Sequence, residues 1–188
     1  MRRLMLLRHA KTENNAPSGR DQDRRLDERG RRDAAEIGGF IATHPPFPDA
    51  VLVSPAVRAR ETWELAWAAM KDLVPQPHME LQPDLYSADS AQLLQSIREV
   101  SLPETQRLMV IGHNPGMHEL ALALTDGSDA AGRRTLADNL PTSGLAIFDF
   151  AIDDWSDVAF RRGRLVLFVS PKLLKQTWTT RTLEDRKS

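Results

Sequence analysis

Three short apolar runs, each cut off by chemically loaded residues, constrain this chain more than any other feature. Leu4-Met5-Leu6-Leu7 stops at Arg8-His9, Ala50-Val51-Leu52-Val53 stops at Ser54-Pro55, and Leu108-Met109-Val110-Ile111-Gly112 stops at His113-Asn114. Apolar runs without alternation read as strands buried on both faces, as in parallel sheets. In an open parallel sheet, ligands bind in the crevice beyond the carboxyl ends of the strands. The three loaded ends are therefore expected to meet at one edge.

The segments between the runs predict helices. Ala34, Ala35, Ile37, Gly38, Phe40 and Ile41 make an apolar stripe over Arg31–Thr43, with Asp27 as N-cap and His44-Pro45-Pro46 as the stop. Ser54 and Pro55 are expected to cap and open a helix over Ala56–Met70. Leu73–Pro83 reads as loop with a short edge strand near Met79–Leu81. Ala88–Val100 reads as a helix capped near Ser87 or Asp89, ended before or at Pro103. A helix over Met117–Thr125 follows the third run, and Asp126–Asn139 reads as partly helical at most. Ser143–Phe150 and Arg164–Val169 read as two strands of a hairpin. This order predicts an α/β fold: a three-layer αβα sandwich with a largely parallel central sheet. One domain is expected over 1–171, with 172–188 as a C-terminal tail.

Lys+Arg is 25 against Asp+Glu 26, so bulk charge gives no reason to expect a nucleic-acid or membrane partner. A single tyrosine also speaks against nucleic acid. The absence of cysteine excludes disulfides, thiolate metal sites and a cysteine nucleophile. The apolar run after Met1-Arg2-Arg3 stops at Leu7, too short for a signal peptide core. A cytoplasmic protein is the expectation, and the oligomeric state is left open.

The strand ends would gather Arg8, His9, Arg58 and His113, with Asn15 on the first loop. Arg58 and Arg60 fall at the start of a helix, where the dipole disfavours cations. Two arginines and two histidines, with no acid built into the three motifs, call for an anion, and guanidinium forks suit phosphate oxygens. Adjoining arginines would repel a dication, so no metal is expected. His44, His78 and His118 lack such a setting and are expected to be bystanders.

With these residues in place, the chain resembles the histidine phosphatase superfamily, the phosphoglycerate mutase-like fold. The family's Arg-His-Gly appears as Arg8-His9-Ala10, its downstream Asn as Asn15, and its Ser-x-x-x-Arg-Ala-x-x-Thr element in Ser54–Thr62. Its second histidine matches His113 in Gly112-His113-Asn114-Pro115-Gly116. Asp23-Arg24-Arg25-Leu26-Asp27-Glu28-Arg29-Gly30 resembles the segment before the first helix in the SixA-type branch.

The resemblance implies a metal- and cofactor-independent phosphatase in which His9 attacks phosphorus and becomes phosphohistidine. Arg8, Arg58 and His113 would stabilise the transition state, and Asn15 and Gly116 would help bind substrate. A protonated His113 would make activity fall as pH rises through its pKa. No acid follows His113, so the proton donor is sought at Asp84 or Glu80. The weak donor and the short chain favour phosphohistidine in proteins as substrate. The alternatives are a small phosphomonoester and, in another class, a non-catalytic phosphate-binding or adaptor domain.

Overall fold

In a computed structural model, described here for residues 1–102 and 104–176, six strands form one sheet. They are β1 (Arg2–Arg8), β2 (Ala50–Val53), β3 (His78–Leu81), β4 (Arg107–Gly112), β5 (Leu145–Phe150) and β6 (Arg164–Val169). The order is β3-β2-β4-β1-β5-β6. β3, β2, β4 and β1 run parallel, and β5 and β6 add an antiparallel edge. The three apolar runs are the three central strands on the parallel side, which is why they lack alternation.

Alternation reappears once each residue is assigned to a face. Leu4, Leu6, Leu52, Leu108, Val110 and Phe148 face α3 (Ser90–Arg98), α4 (Gly116–Leu124) and α5 (Ala130–Asp138). Met5, Leu7, Val51, Val53, Met109 and Ile111 face α1 (Glu28–Thr43) and α2 (Val57–Met70). Each face has its own core, so the architecture is the expected three-layer αβα sandwich.

Register aligns the loaded ends. Leu7 sits opposite Ile111, Ile111 opposite Val53, and Arg8 opposite Gly112. The ladder continues one residue further, with the His9 amide donating to Gly112 O (3.1 Å) and the Ser54 amide to Ile111 O (3.0 Å). His9, Ser54 and His113 therefore leave the sheet side by side.

Several local details differ from expectation. Asp27 does cap α1, accepting from Gly30 N at 2.7 Å, but the helix starts at Glu28. Ser54 is not the cap of α2 and Pro55 is not its first residue: Ala56 holds the N-cap position without a side-chain bond, and Ser54 turns its hydroxyl elsewhere. Asp126–Asn139 contains a full helix, α5, whose N-cap Asp129 accepts from Ala131 and Gly132 amides and whose Leu136 is buried. Ser143 and Gly144 stay out of β5 because Ser143 takes a left-handed backbone (φ 56°) to bring its amide to the Arg8 and His9 carbonyls.

Past the expected boundary at Pro171, residues 171–176 are helical and belong to the same packed body. Leu174 joins the core beside α1, and Lys175 pairs with Asp33 and Glu36 of α1. The rest of the expected tail, with Trp178, and the helix stop at Pro103 lie outside the described residues.

One close approach ties α1 to the loop after β1. A Cβ on Gly30 would stand 2.0 Å from the Lys11 carbonyl oxygen, which also accepts the Asp27 amide at 3.0 Å. Only glycine lets the first turn of α1 lie against this carbonyl.

Candidate active site

His9 follows the last residue of β1 and is 8% exposed. Its Nδ1 lies 2.7 Å from the Ala10 carbonyl oxygen. A carbonyl can only accept, so Nδ1 carries the proton and Nε2 keeps its lone pair. Ala10 is itself fixed, its amide donating to Thr62 Oγ1 (2.9 Å). The Thr62 hydroxyl in turn donates to Arg58 O (2.6 Å). Burial, with His113, Arg58 and Arg8 nearby, pushes the His9 pKa down to about 3 despite the Ala10 bond. The ring is therefore neutral near pH 7, the state a nitrogen nucleophile needs.

His113 stands across from it, with ring centroids 5.1 Å apart and planes at 51°. Its Nε2 lies 2.7 Å from Ser54 Oγ. Burial and the charges of Arg58 and Arg8 outweigh the pull of Asp21 and push its pKa down to about 4. At neutral pH, His113 is thus an uncharged ring, which revises the picture of a protonated stabiliser. The Tyr86 ring packs edge-on against it at 5.7 Å.

The two arginines complete the positive wall. Arg8 donates from Nη1 to Leu140 O (3.1 Å), and its buried Nε has no partner among the described residues. The Arg58 side chain is 8% exposed; Nη1 donates to Asp21 O (2.7 Å) and Nη2 to Asp21 Oδ2 (2.9 Å). Asp21 also accepts from Arg24 Nη1 (3.0 Å) and the Tyr86 hydroxyl (3.1 Å). Partial burial works against ionisation, but Arg58, Arg24 and Tyr86 together hold the Asp21 carboxyl below its ordinary range.

The sequence left the arginines in need of an anion, and here a carboxylate from the 21–23 turn supplies one. No periodicity marks that turn. The only trace is the i, i+3 pairing of Asp21 with Arg24.

Arg8, His9, Arg58 and His113 line one crevice of about 630 Å³. The other expected site residues fall outside it. Asn15 is exposed on the loop and does not line the crevice, because the loop after Thr12 turns outward before reaching the 21–23 turn. Gly116 is buried against α3's approach: a Cβ there would stand 2.1 Å from Ala88 O, so the glycine serves packing rather than ligand access.

Glu80 is exposed on the edge strand β3. Asp84 lines a separate hollow with Gln92, Ser96 and Glu99. Neither candidate donor faces the histidines. The carboxylates that do line the crevice are Asp21, Asp89 and Glu119. Asp89 is committed to capping α3 through Gln92 N (2.8 Å). Arg60, expected beside Arg58, is exposed and lines a different hollow with Trp63 and Met79.

The remaining histidines are engaged elsewhere: His44 stacks on Phe40, His78 lies on the exposed β3 edge, and His118 Nε2 bonds to Leu136 O (2.8 Å). Among the described residues, no group of three or more His, Asp or Glu is placed to hold a metal. No helix among them is long and apolar enough to cross a membrane.

Comparison with known proteins places the chain in a family. The model of the histidine phosphatase superfamily (branch 1) matches residues 4–85. An uncharacterized protein of Mycobacterium tuberculosis is 36% identical over 169 residues, covering 88% of this chain and all of that protein. A crystal structure assigned as the phosphohistidine phosphatase SixA of Agrobacterium tumefaciens aligns with a TM-score of 0.74 and 32% identity, covering 90% of this chain and 98% of the other. The protein histidine phosphatase SixA complexed with tungstate shares the fold at a TM-score of 0.72 and 21% identity, over 92% of this chain and 99% of that one. The chain belongs to the histidine phosphatase superfamily, in its SixA-type branch. It is accordingly a phosphatase, a hydrolase of phosphorylated substrates.

Proposed function

We propose that this phosphatase acts on phosphohistidine in other proteins, through a phosphohistidine formed on its own His9. The observation that carries the reading is the His9 ring: buried, neutral, and held through Nδ1 by Ala10 O so that Nε2 is bare. In the first step Nε2 bonds to phosphorus as the substrate's N–P bond breaks. The departing imidazole keeps the electron pair of that bond, having been protonated on its other nitrogen. In the second step water attacks phosphorus, the Nε2–P bond breaks, and inorganic phosphate leaves.

Charge on the equatorial oxygens of this loose transition state is met by Arg8, Arg58 and the His113 N–H. A phosphate entering the crevice competes with Asp21 for the Arg58 guanidinium.

The crevice's carboxylates lean towards a phosphoramidate over an alkyl phosphate. An alkoxide leaving group needs an acid, yet of the three carboxylates Asp21 is held ionised by its arginines and Asp89 is spent on a helix cap, which leaves Glu119 alone. A protonated imidazole leaves without such help. The same acids suit the cationic ring of a phosphohistidine protonated on its other nitrogen. A cytoplasmic location fits a protein substrate of this kind and a chain without cysteine.

The test is phosphate release from a histidine-phosphorylated protein in chelator, with His9→Ala beside the wild type. Release by the wild type alone, with an acid-labile, alkali-stable phosphoenzyme trapped on quenching, is the expected result. Equal release by both proteins would remove His9 from the mechanism. Release only from small phosphomonoesters would move the substrate class.

A further inference from the structure

Ser54 is wholly buried at the end of β2, and its hydroxyl has two neighbours within hydrogen-bond distance: the Ala56 amide at 3.4 Å and His113 Nε2 at 2.7 Å. The amide can only donate. Nε2 can donate or accept, according to the tautomer of the ring. These facts leave two arrangements. If Nε2–H donates to Ser54 Oγ, the oxygen receives two donors and its own proton has no acceptor among the described residues. The other ring nitrogen, Nδ1, is then a bare lone pair. It is buried and has no partner among the described residues, and Arg58 and Arg8 stand nearby.

If instead the hydroxyl donates to Nε2, only the Nδ1–H is left without a partner among the described residues. The amide donates to Oγ, Oγ–H donates to Nε2, and Nδ1 carries a proton available to an anionic oxygen. The second arrangement satisfies more buried groups, and buried polar groups are paired wherever the fold allows.

The groups facing His113 favour the same answer. Arg8 and His9 come from the end of β1, Arg58 from α2, Asp21 from the 21–23 turn and Tyr86 from the turn after β3. The cations and burial keep the ring neutral, so it has one N–H to offer. A neutral histidine helps a developing phosphoryl charge only if that single N–H is the one not spent on Ser54.

We propose that the Ser54 hydroxyl donates to Nε2 of His113 and so fixes the Nδ1–H tautomer, making Ser54 a positioning residue that lets an uncharged His113 act as a phosphoryl-oxygen donor. The role for catalysis rests on the proposed phosphatase mechanism; the tautomer does not.

Nitrogen-15 shifts of the His113 ring in the folded wild-type protein test the tautomer directly. A protonated Nδ1 and a bare Nε2 near pH 7 are expected, and the reverse pattern overturns the proposal. Kinetics on a histidine-phosphorylated protein test the consequence. Ser54→Ala is expected to lower kcat about 10–100-fold with KM little changed, the size of a weakened oxyanion donor. Its deficit against wild type should shrink as pH falls from 7 towards 4, where the His113 ring takes up a proton, because an imidazolium carries Nδ1–H without instruction. Ser54→Thr, which keeps the hydroxyl, should restore most of kcat.

A Ser54→Ala deficit that is the same at every pH, with the Nδ1–H signal retained, would overturn the positioning role. If the wild type fails on this substrate, the proposed substrate falls, and the ring shifts still decide the tautomer.

Discussion

β1 and β4 lie side by side, in register, and each delivers a histidine to the same crevice, yet the two rings are held by different means. His9 is held by a backbone carbonyl, that of the next residue. His113 is held by a side chain from a third strand. A carbonyl can only accept, so the tautomer of His9, the proposed nucleophile, is written into the main chain and no substitution at Ala10 can remove the acceptor. A hydroxyl can donate or accept, so the tautomer of the second ring depends on one replaceable serine. On the proposed mechanism, the ring that must keep Nε2 bare has the partner that no substitution removes, and the ring proposed to supply a proton has the adjustable one.

Substitution of each ring should expose this asymmetry. His9→Asn is expected to abolish turnover altogether while leaving binding of orthovanadate, followed by calorimetry, within about tenfold, since the arginine wall is untouched. His113→Asn is expected to cost about 10² in kcat, because one donor is lost and the nucleophile remains. Comparable losses in the two variants would break the distinction between nucleophile and donor.

Acid stability comes next in size. Both histidines titrate near 6.5 when unfolded but are held down to about 3 (His9) and about 4 (His113) in the fold. The unfolded chain therefore binds more protons below pH 6.5. The stabilisation is whole above that pH and is lost as pH falls towards 4 and then 3. The thermal midpoint should drop over this window, and His9→Asn should flatten the drop. A midpoint unchanged from pH 7 to 4 would show that the rings are not held neutral.

The smallest effect sharpens the comparison by exclusion. Glu80 on the exposed edge and Asp84 in the separate hollow do not face either ring. Glu80→Gln and Asp84→Asn should leave kcat within about twofold of wild type, as surface changes usually do. A large loss at either would place a proton donor there after all.

The legible part of the site was the part carried by strand ends. Arg8, His9, Arg58 and His113 follow or adjoin apolar runs, and parallel register brings such ends together whatever the loops do. Asp21 was illegible because a short turn in a polar loop has no periodic signature, and its partner Arg58 lies 37 positions away. Ser54 was legible as a residue and misread as a role. Its place before a helix suggests a cap, but the amide it would cap lies 3.4 Å away while His113 Nε2 lies at 2.7 Å, a contact made only by the register of β2 with β4. The donor candidates failed for a similar reason, since nothing in the spacing of Glu80 and Asp84 tells which side of the chain faces the sheet edge. α5 was underestimated because its stripe reduces to one buried leucine, Leu136.

The contact of Gly30 with the Lys11 carbonyl gives His9, the proposed nucleophile, a remote gauge. Lys11 is two residues from His9, so a shift of this helix on the outer layer would reach the His9 ring through three consecutive residues, each held by a hydrogen bond. A methyl group at position 30 would act as a shim. It would move the loop rather than alter any group that meets substrate, and its signature would be a slower chemical step in an enzyme whose crevice keeps every one of its side chains.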